Sequence, residues 1–196
     1  MMKFSRYAAS ALCVASLAAC SSAPVHFHTL VPPAAAPSAT MAPFAIDVQA
    51  VGVPPQVDQP SMVLRSGSSS MSVLDGERWA SPLGDEIRSA LAADLSSRLG
   101  THDIHGLPRA KDANVVRVQV DVRRFDSELN GNATLEAAWS VRTESQSANC
   151  ASRVVEPAGG SYDSLVDAHQ RALGQLADQI AVASRSVANG QAAACH

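Results

Sequence analysis

The sequence predicts a single α/β domain with a mixed β-sheet and two main helices. Residues 116–123 and 134–142 alternate apolar and polar side chains, a pattern typical of half-buried strands. Leucine or isoleucine recurs every four residues over 83–99, and a second apolar stripe runs over 162–187, which indicates two amphipathic helices. These helices are expected to cover one face or both faces of the sheet.

The first twenty residues predict export and lipid attachment. A short basic segment is followed by an apolar run over 7–15, which is too short to span a bilayer core of about 30 Å. Small residues precede Cys20, as in the bacterial lipobox, where the thiol receives a diacylglyceryl group before cleavage. We predict a signal peptide over residues 1–19 and a lipidated N-terminus at Cys20. An ordinary secretory signal with a chance cysteine is the alternative.

The next segment, residues 20–42, is rich in Pro, Ala and small polar residues, with a short extended stretch over 25–30. This composition predicts a flexible linker that lets the body stand off the membrane. The folded domain is expected over residues 43–196.

Local signals predict the first half of the domain. A strand over 44–51 ends at two prolines, and a hairpin is expected where 62–65 and 71–74 flank a Ser/Gly loop. Ser81 is expected to cap the first helix, with Pro82 at its first position and Gly100 after its end.

Local signals also predict the second half. Asn130-Gly131, a preferred pair for tight turns, separates the two long alternating runs and predicts a hairpin. One more strand is expected over 150–155. Ser161 is expected to cap the second helix.

Charge and motif content exclude several functions. Without residues 1–19 the chain has 13 basic and 18 acidic side chains, a net charge of −5, and aromatics make up only 4% of the whole sequence. Nucleic-acid binding is therefore not expected. Lysine occurs only at positions 3 and 111 and no phosphate-binding loop is present, so the chain is not a transport ATPase.

No catalytic, cofactor-binding or metal-binding residues are predicted. Serines 66, 68 and 161 do not lie in the Gly-x-Ser-x-Gly frame of a serine hydrolase. His102 and His105 share a loop, with His169 far along the chain, but no cysteine pair completes a zinc site. We interpret the two loop histidines as solvated.

Two cysteines remain after Cys13 in the leader and the lipidated Cys20. Cys150 and Cys195 either form a disulfide, which an exported protein permits and which we favour, or stay as separate thiols.

Trp79 follows Arg78 and precedes the first helix. It is either a core anchor, which we favour, or a partner or subunit contact, since Trp and Arg are frequent at interface hot spots.

Several blocks resemble the ABC-type transport auxiliary lipoproteins, the PqiC/YmbA-like family. They are the lipobox at Cys20 and the segments His26-Phe27-His28-Thr29-Leu30, Val53-Pro54, Gln59–Arg65, Arg78-Trp79-Ala80-Ser81-Pro82-Leu83 and Val118–Phe125. The chain departs from the family pattern in its His-Phe-His stretch, at Gln59 and at Ser81. The first departure bears on any contact that the aromatic stretch makes in relatives.

The resemblance implies a three-layer α/β fold with a mixed sheet. It also implies an outer-membrane lipoprotein that faces the periplasm, forms a homo-oligomeric ring and works with an MCE-domain protein and an inner-membrane transporter in lipid transport. Ser21 after the lipidated cysteine favours the outer membrane by resemblance to enterobacterial sorting. The alternative is a stand-alone periplasmic ligand-binding or sensor lipoprotein, which a monomer with a deep apolar pocket would favour.

Overall fold

The computed structural model describes residues 24–33, 40–108, 113–193 and 195. They form seven strands and two helices, and these elements define the fold. The strands are β1 His26–His28, β2 Ala45–Val48, β3 Ser61–Arg65, β4 Met71–Trp79, β5 Val115–Ser127, β6 Asn132–Arg142 and β7 Ser147–Pro157, and the helices are α1 Leu83–Leu99 and α2 Tyr162–Ala188. The predicted fold class is confirmed as a single α/β domain with two main helices.

The strands form two mixed sheets where the sequence predicted one. The larger sheet has the order β2-β5-β6-β7, with β2 parallel to β5 and the remaining pairs antiparallel. The smaller sheet has the order β1-β4-β3, with β1 parallel and β3 antiparallel to β4. The division is not visible in the sequence because alternation sets which side of a strand is buried and leaves the neighbouring strand unspecified.

Both helices lie on one face of the larger sheet. Helix α2 contacts β5, β6 and β7, and α1 contacts α2 and β2. The alternating valines of β5 are buried on this face, while Arg117, Gln119 and Arg123 on the other face are exposed. The core therefore lies between this sheet and the helices, and the opposite face of β5 meets solvent.

Strand β1 lies inside the segment predicted as a linker. It pairs in parallel with β4, and Leu30 immediately after it is fully buried in the core. Residues 26–30 therefore belong to the folded body, which begins earlier than residue 43. The extended conformation predicted over 25–30 is present, but its pairing in a sheet was missed, because three residues are too few to show alternation.

Helix α1 begins one residue later than predicted. Pro82 is the N-cap, and Ser81, expected as the cap, instead donates its hydroxyl to a carboxylate oxygen of Glu86 at 2.8 Å. At the other end, Gly100 adopts the left-handed conformation with φ of 61°, which glycine tolerates best. The predicted end of this helix is thus confirmed.

The predicted long hairpin and second helix are confirmed. Strands β5 and β6 pair antiparallel across the four-residue connection 128–131, in which Asn130 is left-handed with φ of 54°. Ser161 caps α2 and its side chain accepts a hydrogen bond from the backbone N–H of Ser164, which completes a capping box.

A disulfide joins the C-terminal tail to the larger sheet. Cys150 on β7 and Cys195 are bonded across 45 residues of sequence, with their Cα atoms 5.5 Å apart. Since β7 is an edge strand, the bridge ties the end of the chain to the edge of the sheet.

We expect this disulfide to stabilise the fold. Closing a loop of 45 residues removes unfolded-state entropy worth at most about 4 kcal/mol. Reduction, or the double change Cys150→Ala and Cys195→Ala, should therefore lower the free energy of unfolding measured in urea. Thiol labelling of denatured, unreduced mature protein should give no signal. Labelling at both cysteines would show separate thiols.

Candidate functional site

Trp79 lies in the core at the end of β4. Its side chain is 4% exposed, and its ring meets Phe125 of β5 edge to face, with the ring centroids 6.1 Å apart. Arg78 before it is half-buried, and Pro82 caps α1. The structure thus places Trp79 between the two sheets, where edge-to-face packing adds to the stabilisation from burial.

Phe125 continues this contact into helix α2. Its ring stacks on His169 with centroids 3.9 Å apart and planes within 9° of parallel. The Nε2 atom of His169 is hydrogen-bonded to Ser127 at 2.8 Å, while Nδ1 has no partner among the described residues. Complete burial lowers the pKa of His169 to about 3, so the ring is neutral at ordinary pH and serves as packing.

Glu86 fastens the N-terminal segment to the body. Its carboxylate is buried and accepts hydrogen bonds from the Thr29 hydroxyl and the Leu30 backbone N–H, both at 2.8 Å, besides the one from Ser81. The Gln170 side chain of α2 donates to the Thr29 carbonyl at 3.1 Å. We call this set of contacts the Glu86 clamp. Sequence analysis missed it, since an acidic residue in the first turn of a helix is explained by the helix dipole alone.

A second set of contacts holds β1 itself. His26 and His28 donate to the two carboxylate oxygens of Glu77 on β4, at 3.0 and 2.6 Å, and Asp163 lies 3.7 Å from the other nitrogen of His28. The bond from His28 is the main cause that lowers the pKa of Glu77. Because the pKa of Glu77 is lowered in the folded protein, its ionised carboxylate stabilises the fold. This stabilisation is present above the ordinary pKa of the carboxyl and is lost as the pH falls through the lowered value.

Phe27 of β1 and Val25 just before the strand point away from Glu77 and are exposed and apolar. Phe27 is 66% exposed and Val25, two residues earlier, is 40% exposed. In the parallel register Phe27 lies opposite Arg78 of β4, so the two side chains share a face of the smaller sheet. We call Val25, Phe27 and Arg78 the β1 face.

An apolar groove lies at the other end of α1. It has a volume of about 560 Å³ and is lined mainly by apolar side chains, among them Met41, Phe44, Ile104, Leu107 and Pro108. Met41 and Leu107 are 78% and 62% exposed. Glu86 and Leu99, which mark the two ends of the helix, lie about 20 Å apart at 1.5 Å per residue. The groove and the Glu86 clamp are therefore at opposite ends of this helix.

The histidines singled out in the sequence do not converge. His102 and His105 are exposed in the loop after α1, His105 bonds Asp47 at 3.1 Å, and His169 is in the core. Within the described ranges no group of three or more candidate ligands could hold a metal ion.

Cys20, predicted to carry lipid, lies outside the described residues. In the part of the chain that the structure covers, neither helix is long and apolar enough to cross a bilayer.

The sequence matches the model of the family described as the ABC-type transport auxiliary lipoprotein component, over residues 28–181. The chain belongs to this family. The match begins at the end of β1 and ends within α2, so it covers most of the body. The resemblance seen in the sequence blocks is thereby confirmed.

Solved structures share the fold of this lipoprotein. A crystal structure of an uncharacterized protein has 20% identity and a TM-score of 0.65, and covers 81% of this chain and 97% of its own. A crystal structure of a Xanthomonas campestris protein has 16% sequence identity and a TM-score of 0.64. The match covers 84% of this chain and 97% of the Xanthomonas chain. Among curated proteins no match was found. At these identities the two structures support the fold only.

Family membership makes the chain a transport-associated lipoprotein, anchored to a membrane of the cell envelope. The family is one of transport auxiliary components and is not a known enzyme family. Its name implies association with a transport system.

Replacing Trp79 with alanine should destabilise the lipoprotein by about 3–5 kcal/mol, because the change leaves a cavity between the two sheets. Urea unfolding followed by circular dichroism measures this loss. Arg78→Ala, which removes a half-buried neighbour from the core contact, is the control and should have a small effect. Unchanged unfolding together with lost assembly would instead assign Trp79 to an interface.

Replacing Glu86 with alanine should release the N-terminal segment. The change leaves the buried N–H of Leu30 without its acceptor, which costs about 1–3 kcal/mol. Hydrogen exchange at Leu30 should therefore become faster. The exposed neighbour Asp85 is the matched control, and Asp85→Ala should leave this exchange unchanged. Equal protection in both variants would show that the Glu86 clamp does not hold the segment.

Proposed function

We propose that this lipoprotein is a non-enzymatic outer-membrane subunit of an MCE-type lipid transport system. Lipid on Cys20 anchors it, and the folded body, assembled as a ring, docks an MCE-domain protein of the inner-membrane transporter. The observation that carries the proposal is the family match over residues 28–181. The ring gives the partner a symmetric surface to dock on.

The position of the clamp supports this role. Only eight residues lie between Cys20 and Thr29, and the Glu86 clamp holds Thr29 and Leu30 on the body. A short attachment of this kind fixes which end of the body is next to the anchor. It also resists separation of the body from the membrane, as a docking subunit requires.

The groove at the far end of α1 is the proposed contact for the MCE-domain protein. Its lining is mainly apolar, and Met41 and Leu107 expose large side chains beside it. Exposed apolar surface at a rim is typical of protein contacts. The groove lies at the end of the helix remote from the clamp, where it is accessible from the side away from the anchor.

The same groove supports the alternative role of a stand-alone ligand-binding or sensor lipoprotein. Its volume and lining fall within the range of small-molecule sites. A bound apolar ligand in a monomeric body would favour this alternative over the docking role.

Site-specific photo-crosslinking in cells tests the proposal. A photoreactive residue at Leu107 should crosslink to an MCE-domain protein identified by mass spectrometry. Val182 on α2, 60% exposed against 62% for Leu107, is the matched control and should give no such product. The purified lipidated protein should sediment as a ring-sized oligomer. A monomer that retains a lipid or another apolar ligand in the groove, with no crosslinked partner, would contradict the docking role.

A further inference from the structure

We infer that the β1 face lies against the lipid bilayer, with Phe27 at the level of the acyl chains and Arg78 at the headgroup phosphates. The inference deepens the proposed function and rests on lipid attachment at Cys20. It assigns a membrane-contacting surface to the folded body in addition to the lipid itself.

The first argument is the length of the tether. Five residues lie between Cys20 and His26, so an extended chain places β1 within about 20 Å of the lipidated thiol. A domain of this size is about 40 Å across. The body therefore cannot move away from the bilayer by its own diameter, and β1 is the part of it closest to the anchor along the chain.

The second argument is that β1 is fixed to the body. The bonds from His26 and His28 to Glu77 and the Glu86 clamp leave the strand no freedom to extend as additional tether. The predicted linker of residues 20–42 would have allowed the body to stand off the membrane. With residues 26–30 built into the fold, the orientation of the body is set by the strand nearest the lipid.

The third argument is the chemistry of the face. Phe27 and Val25 expose apolar side chains on an edge strand, where burial in a partner or a bilayer is the favourable outcome. Arg78 donates to the carbonyl of Asp75 and forms no ion pair with a carboxylate in the described part of the chain. An aromatic ring next to an arginine with no acidic partner matches the interface between acyl chains and phosphates.

The side of β1 that faces Glu77 is unsuited to contact with the bilayer, which excludes the reverse orientation of the strand. There Glu77 is occupied by two histidines and Asp163 is exposed. Carboxylates are unfavourable near the phosphates of a bilayer, so the side of β1 that carries Val25 and Phe27 is the one that meets the lipid.

Fluorescence quenching tests the inference on the full lipidated chain. Phe27→Trp would be reconstituted in vesicles of phosphatidylethanolamine and phosphatidylglycerol, with and without lipids brominated in the upper acyl chain. The expected result is loss of about half of the added tryptophan emission, since interfacial side chains lie about 5–10 Å into the headgroup and acyl boundary. The native Trp79 and Trp139 are buried, and the unchanged protein supplies their background.

Val182→Trp is the matched control, because Val182 is 60% exposed but lies on α2. It should show no quenching by brominated lipid. Equal quenching in the two variants, or a blue-shifted Phe27→Trp emission that bromine does not quench, would overturn the inference, and the second result would assign the face to a subunit contact. Mass spectrometry of the same sample separates the two proposals. A bare Cys20 overturns both, whereas lipidated protein without quenching overturns only the membrane contact.

Discussion

The contact that the rest of the structure depends on is the one between the Glu86 carboxylate and the backbone of the N-terminal segment. A buried carboxylate is costly unless its oxygens are hydrogen-bonded, and here three donors satisfy them. One donor, Ser81, comes from the residues just before α1, and two come from the chain that follows β1. The same group therefore stabilises the first turn of the helix and fixes the segment that leads to the predicted lipid. Without it, the N-terminal segment would be held to the body mainly by the parallel pairing of a three-residue strand and by the bonds of His26 and His28 to Glu77.

Local sequence signals were sufficient for most elements. Asn130 in a left-handed turn, Ser161 at a helix N-cap and Gly100 at a helix end each act within a few residues, so their roles were predicted correctly. The features that were missed are not local. Leu30 and Glu86 are 56 residues apart in sequence, and nothing near either position indicates the other. The same applies to the division of the strands into two sheets, which depends on β2 pairing with the distant β5 and not with the nearer β3 or β4.

The role of Trp79 could not be decided from the sequence and is seen only in the structure. Its position before a helix was compatible with either the core or an interface. The structure places it against Phe125, which in turn stacks on His169, so one line of rings joins β4, β5 and α2. His169 had been grouped with two loop histidines as a metal alternative. Its complete burial makes it instead part of the packing that connects the smaller sheet to the larger one.

Under the proposed lipid attachment at Cys20, the fold itself sets the orientation of the lipoprotein relative to its membrane, because β1 is part of the body. A long flexible linker would have left every surface equally able to meet the bilayer or a partner. In the proposed arrangement, a clamped strand close to Cys20 makes the two ends of α1 unequal, since one would lie beside the anchor and the other carries the apolar groove about 20 Å away. An auxiliary subunit that connects a transport system to a membrane needs this kind of polarity. In the proposed docking role, the Glu86 clamp would link the packing of a short strand to the orientation of the subunit at its membrane.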